Sequence, residues 1–522
     1  MMNPTFRGKI LWVDDEIDLL KPHILYLEER GYTVEKVTNG RDALSATESE
    51  NFDLMLLDQV MPGMDGISTL KEMKEKSPHI PVIMITKNEE EWLMDEAISE
   101  KTAGYLTKPV NPSQIFLACK KILEEEKILE KKTADAYLEE FQAIESALIT
   151  AREIEDWWNL YSRLAGWQLE LDSRKELGLN DTLDDQLRSA NRGFVKYVTD
   201  NYRDWIHSER GNRPTLSVDV VSEKIAPLLK KNEKVLFVVV DCFRFDQALG
   251  ILPLIQKLFQ AEVGYHVSLL PSATPFARNG IFSGRFLSEI QDQEPELWQR
   301  TTNSESSMNL GEPEMFKNLL RELLGCDINH AYHKVNIAKE GQRFLTHMKE
   351  YSDLSIIALV VNFVDLLTHH RAVSDVLQEM IPDESGYRSL VQTWFANSWL
   401  LEVLNTAAEM DYTVVLTSDH GSIRVRRGVK VAADRETSKG VRYKYGRSLQ
   451  CPDKHALVIK RPADYRLPEM LTGTNYLIAK EDVYFVYPTQ YHKYLGQLQD
   501  SFQHGGISLE EMLVPTITLR RR

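Results

Sequence analysis

The segment FDLMLLDQVMPGMDG (52–66) sets a short apolar run directly before an aspartate and a turn built on proline and glycine. A run of that length, bounded by such a turn, reads as a buried strand. Comparable runs stand at KILWVDD (9–15), YTVEKVT (32–38), PVIMITK (81–87) and GYLTKPV (104–110), with helical patterns between them, as over 17–30 and 66–76. Alternation of this kind with short connections predicts a parallel sheet covered on both faces, of the flavodoxin-like, doubly wound sort. The carboxyl ends of such strands line the crevice where ligands bind, so Asp58 is aimed into it.

The pattern changes after Ser113. Up to about Trp205 strand signals vanish and apolar residues recur at helical spacing (Ile122, Leu123, Ile128, Leu129; then Phe141, Ile144, Leu148). Trp157, Trp158, Tyr161 and Trp167 read as helix-packing residues in a central helical bundle joining the two ends of the protein. From about Asn212 strands and helices alternate again, with strands expected at 235–241, 267–272, 356–365, 412–419, 455–460 and 483–488. The expected division is 1–125, 126–211 and 212–522, an α/β–helical–α/β order.

A formal charge of -16 over 522 residues disfavours a protein that coats DNA or an anionic membrane. The basic stretches RVRRGVK (424–430) and RRR (520–522) read as a solvated loop and a solvated tail. Four cysteines without a CxxC pair suit reduced thiols. No segment resembles a signal peptide or a membrane span, so the expectation is a soluble cytoplasmic protein.

Asp14 and Asp15 end the first strand and Asp58 ends the third. In a flavodoxin-like order these ends are neighbours, and crowded carboxylates need a hard cation such as Mg²⁺. Thr86 offers a hydroxyl and Lys108 a cation at two further strand ends, suiting an acyl phosphate on Asp58. The set VDDE, LLDQVMPGMDG, MIT and YLTKP resembles the receiver domain of two-component response regulators over about 7–125. That resemblance implies phosphotransfer from a cognate histidine kinase to Asp58. It also implies Mg²⁺ held by Asp15, Asp58 and the Gln59 carbonyl, Asp14 acting through water, and Tyr105 as a rotating aromatic switch.

The last three hundred or so residues carry a second set at expected strand ends: Asp241, Asp365 with His369 four residues on, Asp419 with His420, and His504. Asp and neutral His suit Zn²⁺, and the i,i+4 spacing can put Asp365 and His369 on one helical face. Thr274, in LLPSATPFARNG, is expected at a helix N-terminus, where free N–H groups favour a phosphoryl oxyanion. Coordination to Zn²⁺ would lower the pKa of its hydroxyl. The pieces VVVDCFRFD, PSATPFARNG, DLLTH, TSDHGS and QHGGISLEEMLVP resemble the PglZ branch of the alkaline phosphatase superfamily over about 212–522.

That second resemblance implies one zinc on Asp241, Thr274, Asp419 and His420, and another on Asp365, His369 and His504, with His370 as the alternative to His369. Arg278 and Asn279 could bind the transferred group. Arg244 reads mainly as a structural partner of Asp246, and its place in the family pattern also allows it to meet phosphate. His266, His330, His333, His347 and His455 lack partners at ligand spacing and read as core or surface. No CxPxR stands at the nucleophile, which disfavours sulfate esters.

The order of the three parts resembles response regulators associated with type IX secretion. It implies dimerisation on phosphorylation and a zinc-dependent phosphodiesterase output, with Thr274 as nucleophile and oligonucleotides as substrates. The alternative is a signalling scaffold with a structural metal site that binds a sigma factor or the secretion machinery. Direct promoter binding is disfavoured by the acidic balance and the lack of a recognition helix.

Overall fold

A computed structural model describes residues 6–87, 102–301, 309–372, 374–432, 438, 440–486 and 498–522. The chain forms two compact units, Met1–Leu138 and Glu139–Arg522.

The first unit is a five-stranded parallel sheet in the order β2-β1-β3-β4-β5, formed by β1 (Gly8–Val13), β2 (Tyr32–Val37), β3 (Leu54–Asp58), β4 (Val82–Thr86) and β5 (Gly104–Thr107). Alternate strand residues feed two cores: Leu11, Val13, Met55 and Leu57 on one face, and Ile10, Trp12, Leu54 and Leu56 on the other. This is the physical basis for the near-continuous apolar runs in the sequence. The helix Gly66–Lys76 begins on Asp65, whose side chain accepts the Ser68 N–H. Gly66 is required by proximity, because a Cβ there would stand 2.4 Å from the Asp58 carbonyl oxygen.

The helix Pro112–Thr150 carries the chain into the second unit, where the helices Ile154–Asp172 and Asn180–His207 pack on each other. The main sheet of this unit has six strands: β6 (Lys234–Val240), β7 (Phe259–Val267), β8 (His330–Val335), β9 (Ile356–Val361), β10 (Tyr412–Thr417) and the C-terminal strand Leu513–Arg521. Their order is β7, C-terminal strand, β10, β6, β9, β8. The last four run parallel, and the C-terminal strand is antiparallel to both of its neighbours.

The middle helices pack on the α/β part of the second unit: Trp158 on Phe245 and Tyr265, and Tyr161 on Phe245. Several sequence expectations change. The strand expected at 267–272 instead lies earlier, at Phe259–Val267. The run 356–365 is a strand only to Val361, and a helix, Phe363–Arg371, follows. An apolar run alone cannot show where period two gives way to period 3.6. The basic stretch 424–430 holds two short strands, Ile423–Arg424 and Arg427–Lys430, paired with Phe502–Gln503 and Val483–Val486. Arg520 and Arg521 close the C-terminal strand, so neither basic segment is a bare loop or tail. The end of the expected strand 483–488 lies outside the described residues.

Candidate metal and phosphoryl sites

In the first unit, Asp14 follows β1, Asp58 ends β3, Thr86 ends β4 and Lys108 follows β5. One oxygen from each of Asp14, Asp15 and Asp58 lies within 4.8 Å of the others. Asp14 and Asp58 are buried and Asp15 is exposed. Lys108 Nζ bridges the two buried carboxylates, 2.8 Å from Asp14 and 2.9 Å from Asp58. Burial raises the Asp58 carboxyl, the Lys108 hydrogen bond opposes that, and the charge of Asp14 adds to it. A divalent cation would relieve the same crowding. The Thr86 hydroxyl donates to Gln59 Oε1. The Gln59 carbonyl accepts the Gly66 N–H at 2.9 Å, which leaves it a second lone pair. Tyr105 is half-buried against the core that includes Leu11 and Met84.

Two donor clusters form in the second unit. The first joins Asp241, just after β6, to Asp419 and His420, after β10, and to Thr274, the first residue of the helix Thr274–Ser283. Thr274 Oγ1 is 3.1 Å from Asp241 Oδ1 and 3.0 Å from His420 Nε2. His420 Nε2 is in turn 3.6 Å from Asp241 and 3.8 Å from Asp419. The His420 Nδ1–H donates to the Gly421 carbonyl, which leaves the Nε2 lone pair facing the cluster. Asp419 Oδ1 accepts the N–H groups of Cys242 and His420, whereas its buried Oδ2 has no hydrogen-bond partner. Burial and the neighbouring Asp419 charge push the Asp241 carboxyl well up, with Arg278 pulling against them.

The second cluster is Asp365, His369 and His504. Asp365 and His369 share one face of the helix Phe363–Arg371, so Asp365 acts from a helix and not from a strand end. Its Oδ1 is 3.3 Å from His369 Nε2 and 3.5 Å from His504 Nε2, and the two Nε2 atoms are 3.4 Å apart. Burial works to raise the Asp365 carboxyl, but His369, His504 and His420 hold it below the usual range. Burial, with His420 beside it, keeps the His504 ring well below the usual imidazole value. It is therefore neutral, as a metal ligand must be. His370 stands outside the cluster.

The residues fit zinc. Tetrahedral ligands about 2.0–2.1 Å from Zn²⁺ stand about 3.3 Å apart. The spacings of 3.0–3.8 Å in the first cluster and 3.3–3.5 Å in the second lie around that value. Buried Asp365 Oδ1 and Asp419 Oδ2, both without hydrogen-bond partners, supply the unspent lone pairs that a cation would use.

The candidate phosphate-binding residues engage other side chains. The Arg244 guanidinium is buried on Asp246 and Glu384, in line with its main reading as a structural partner of Asp246. Arg278 reaches the first cluster, but its donors rest on Asp241 (2.6 Å) and Glu312 (2.6 Å). Asn279 donates to the Pro275 carbonyl and accepts weakly from Asn309. Of the histidines set aside, His266 is fully buried against Thr516, and His333 packs on Phe344 and Tyr351.

Sequence reasoning missed Glu312, Asn309 and Tyr332. Glu312 is buried and accepts from Arg278, Asn309 and Tyr332, while Asn309 also donates to the Thr274 carbonyl. They lie in a stretch whose periodicity did not place it. The available signal was Glu312-Pro313 opening an amphipathic helix, Glu312–Leu324, with Met315, Phe316, Leu319 and Leu320 inward.

Three family models match consecutive parts of the chain: the response regulator receiver domain over 10–120, the PorX response regulator linker domain over 127–206, and the BREX system PglZ alkaline phosphatase-like domain over 220–519. The chain belongs to the PglZ alkaline phosphatase-like family. Receiver, linker and PglZ domain in this order match the architecture of PorX-type response regulators. Both donor clusters lie in the PglZ domain, and Asp58 lies in the receiver.

Among similar proteins, ResD of Bacillus subtilis is 36% identical over 122 residues, covering 23% of this chain and 50% of ResD. PhoP of the same organism, an alkaline phosphatase synthesis regulator, is 33% identical over 120 residues, with 23% and 50% covered. Both are transcriptional regulatory proteins by name. The chain spans about half the length of these relatives. Among solved structures, chemotaxis protein CheY4 of Vibrio cholerae is 30% identical with a TM-score of 0.22, covering 22% of this chain and 98% of CheY4. A receiver domain implies a cognate histidine kinase. Among the described residues no helix is long and apolar enough to cross a membrane.

Proposed function

We propose that this response regulator controls a metal-dependent phosphodiesterase output. Phosphorylation at Asp58 governs dimerisation, and Thr274 is the nucleophile of the PglZ domain. The reading rests on one observation: a hydroxyl at a helix N-terminus converges with two carboxylates and an imidazole, beside a second three-residue cluster.

Zinc on Asp241, Asp419 and His420 would act as a Lewis acid, favouring the ionised Thr274 hydroxyl. The chain's own groups do the rest. Thr274 Oγ1, having lost its proton to solvent, attacks the phosphorus of the diester. The P–O bond to one alcohol breaks and that alcohol leaves with a proton from solvent, and water then cleaves the resulting Thr274 phosphodiester to a monoester and free Thr274. The Thr274 N–H at the start of the helix Thr274–Ser283 faces a phosphoryl oxygen and stabilises its developing charge, since Pro275 has no N–H and the Phe276 and Ala277 N–H groups donate to the Ala273 carbonyl. Gly421 holds the His420 ring in place, and Arg278 holds the Asp241 carboxylate.

Arg278 also bears on the substrate class. Its Nη1 and Nε donate to Asp241 and Glu312, so its charge is already offset by two carboxylates and adds little for a dianionic monoester. A monoanionic diester asks less of the site, and the linkages of oligonucleotides belong to that class. Type IX secretion, with a sigma factor or a secretion component as partner, is the process the PorX-like architecture suggests.

The test is turnover of a model diester and a model monoester by zinc-loaded protein, with and without acetyl phosphate. Diester hydrolysis lost in Thr274→Ala supports the reading. Full turnover by that variant defeats it. If secretion is restored in cells by Thr274→Ala but not by Asp58→Ala, the scaffold reading replaces it.

A further inference from the structure

The basic stretch RVRRGVK does not serve the Thr274 cluster. Part of it lines a cavity of about 320 Å³ shared with Glu510 and residues of the helix Asn180–His207. That volume falls within the range of about 300–1,000 Å³ typical of small-molecule sites. None of the residues of the two donor clusters lines it.

Five arginines and five carboxylates line the space, and of these Arg188 pairs with Asp185, Arg427 pairs with Glu481 and Asp482, and Glu384 pairs with Arg244. At one level stand Arg192, Arg424 and Arg426, whose guanidinium groups are only loosely engaged. Among the described residues Arg192 meets no carboxylate and donates to Ser189 Oγ. Arg426 is 3.5 Å from Asp184, and Arg424 Nε lies 3.2 Å from Asp500 without forming a hydrogen bond. At another stands Glu510, 4% exposed, whose carboxylate oxygens accept from Asn191 Nδ2 at 3.2 and 3.0 Å. Asn191 is itself fixed, its Oδ1 taking the Leu509 N–H at 2.8 Å. Burial pushes the Glu510 carboxyl up to about 7, with the Arg244 charge and the Asn191 hydrogen bond pulling against it.

A buried carboxylate served by one amide keeps acceptor capacity for an N–H donor. Loosely paired guanidinium groups suit a phosphate, which they can bind in bidentate fashion. We infer that this cavity is a second ligand site of the PglZ unit, taking a nucleoside monophosphate or a molecule of like chemistry. Its phosphate meets Arg192 and Arg426, and an N–H edge of its base meets Glu510. The Glu510 backbone also touches the metal-ligand loop: a Cβ on Gly421 would stand 1.9 Å from the Glu510 carbonyl, and the Gly421 N–H donates to Glu511 O at 3.1 Å. An occupant held by Glu510 therefore bears on the loop that carries Asp419 and His420.

The experiment is calorimetric titration of the full-length, EDTA-treated protein with AMP, GMP, CMP, UMP and inorganic phosphate, for wild type, Arg192→Ala/Arg426→Ala and Thr274→Ala. The expected result is that at least one monophosphate binds more tightly than inorganic phosphate. The double arginine variant weakens it by about tenfold or more, as the loss of a charge-assisted contact requires. Thr274→Ala leaves it unchanged. The inference is overturned if no monophosphate binds, if phosphate alone binds as tightly, or if binding survives the arginine substitutions. Circular dichroism of the double variant, whose changes are at exposed and half-exposed positions, checks that loss of binding is not loss of fold.

Discussion

The Thr274 hydroxyl lies 3.0 Å from Nε2 of His420, a ring whose other nitrogen is held by the Gly421 carbonyl. The imidazole therefore cannot rotate away without losing a hydrogen bond. It presents a lone pair and not a proton to the place where the hydroxyl must be activated. Thr274→Ala is expected to lower diester turnover by at least about 10³-fold, roughly 4 kcal/mol of barrier. Thr274→Ser should restore part of it, as read by steady-state kinetics on zinc-loaded protein.

His369 and His370 are adjacent, yet His369 is the one facing Asp365 and His504. His369→Ala should lose about one of two bound zinc ions per chain after dialysis, because a three-residue cluster retains a cation poorly with two. His370→Ala should keep both. Elemental analysis by mass spectrometry decides between them.

His504 sits on a loop secured by a buried ion pair. Arg442 and Glu511 are each 0% exposed, with Arg442 Nε 2.9 Å from Glu511 Oε1. Glu511 also accepts the Gly506 N–H at 2.8 Å and the Ser508 hydroxyl at 2.7 Å. Removing one partner strands the other charge, so Arg442→Ala should cost about 3–5 kcal/mol. Urea denaturation measures the loss.

Burial lowers the His266 ring to about 3, with Lys224 adding to the effect. The unfolded chain takes up this proton near pH 6.5 and the folded chain does not. Its contribution to stability is therefore complete above about pH 6.5 and is lost as pH falls from there toward 3, by about 1.4 kcal/mol per pH unit. Between pH 7 and 5 wild type should lose about 2 kcal/mol more than His266→Gln.

Lys108 lies 2.9 Å from Asp58 and 2.8 Å from Asp14, so a cation already stands where an acyl phosphate would carry charge. Asp58→Asn should abolish incorporation of label from radioactive acetyl phosphate. It should also remove any shift in sedimentation that acetyl phosphate causes in wild type.

The sheet of the first unit was legible because its strands are covered on both faces, which forces continuous apolar runs, and because Pro and Gly mark their ends. The second unit was legible in kind but not in its limits. Nothing in IIALVVNFVD shows that the strand stops at Val361 and that Asp365 starts a new periodicity on a helix. The aromatic residues of the middle helices were readable as packing residues. Their partners Phe245 and Tyr265 were not, since they lie far along the chain.

By itself the sequence determined the kinds of donor present and their places relative to strand ends and helix starts, because local periodicity and turn chemistry act over a few residues. The tertiary structure alone decided which donors meet. It faced His369, and not His370, toward His504. It paired Arg278 with Asp241 and Glu312, set Asn309 on the Thr274 carbonyl with Glu312 beside it, and placed Arg424, Arg426 and Arg427 of RVRRGVK against a cavity. Each of these depends on contacts between residues distant in sequence, and spacing along a chain does not carry that information.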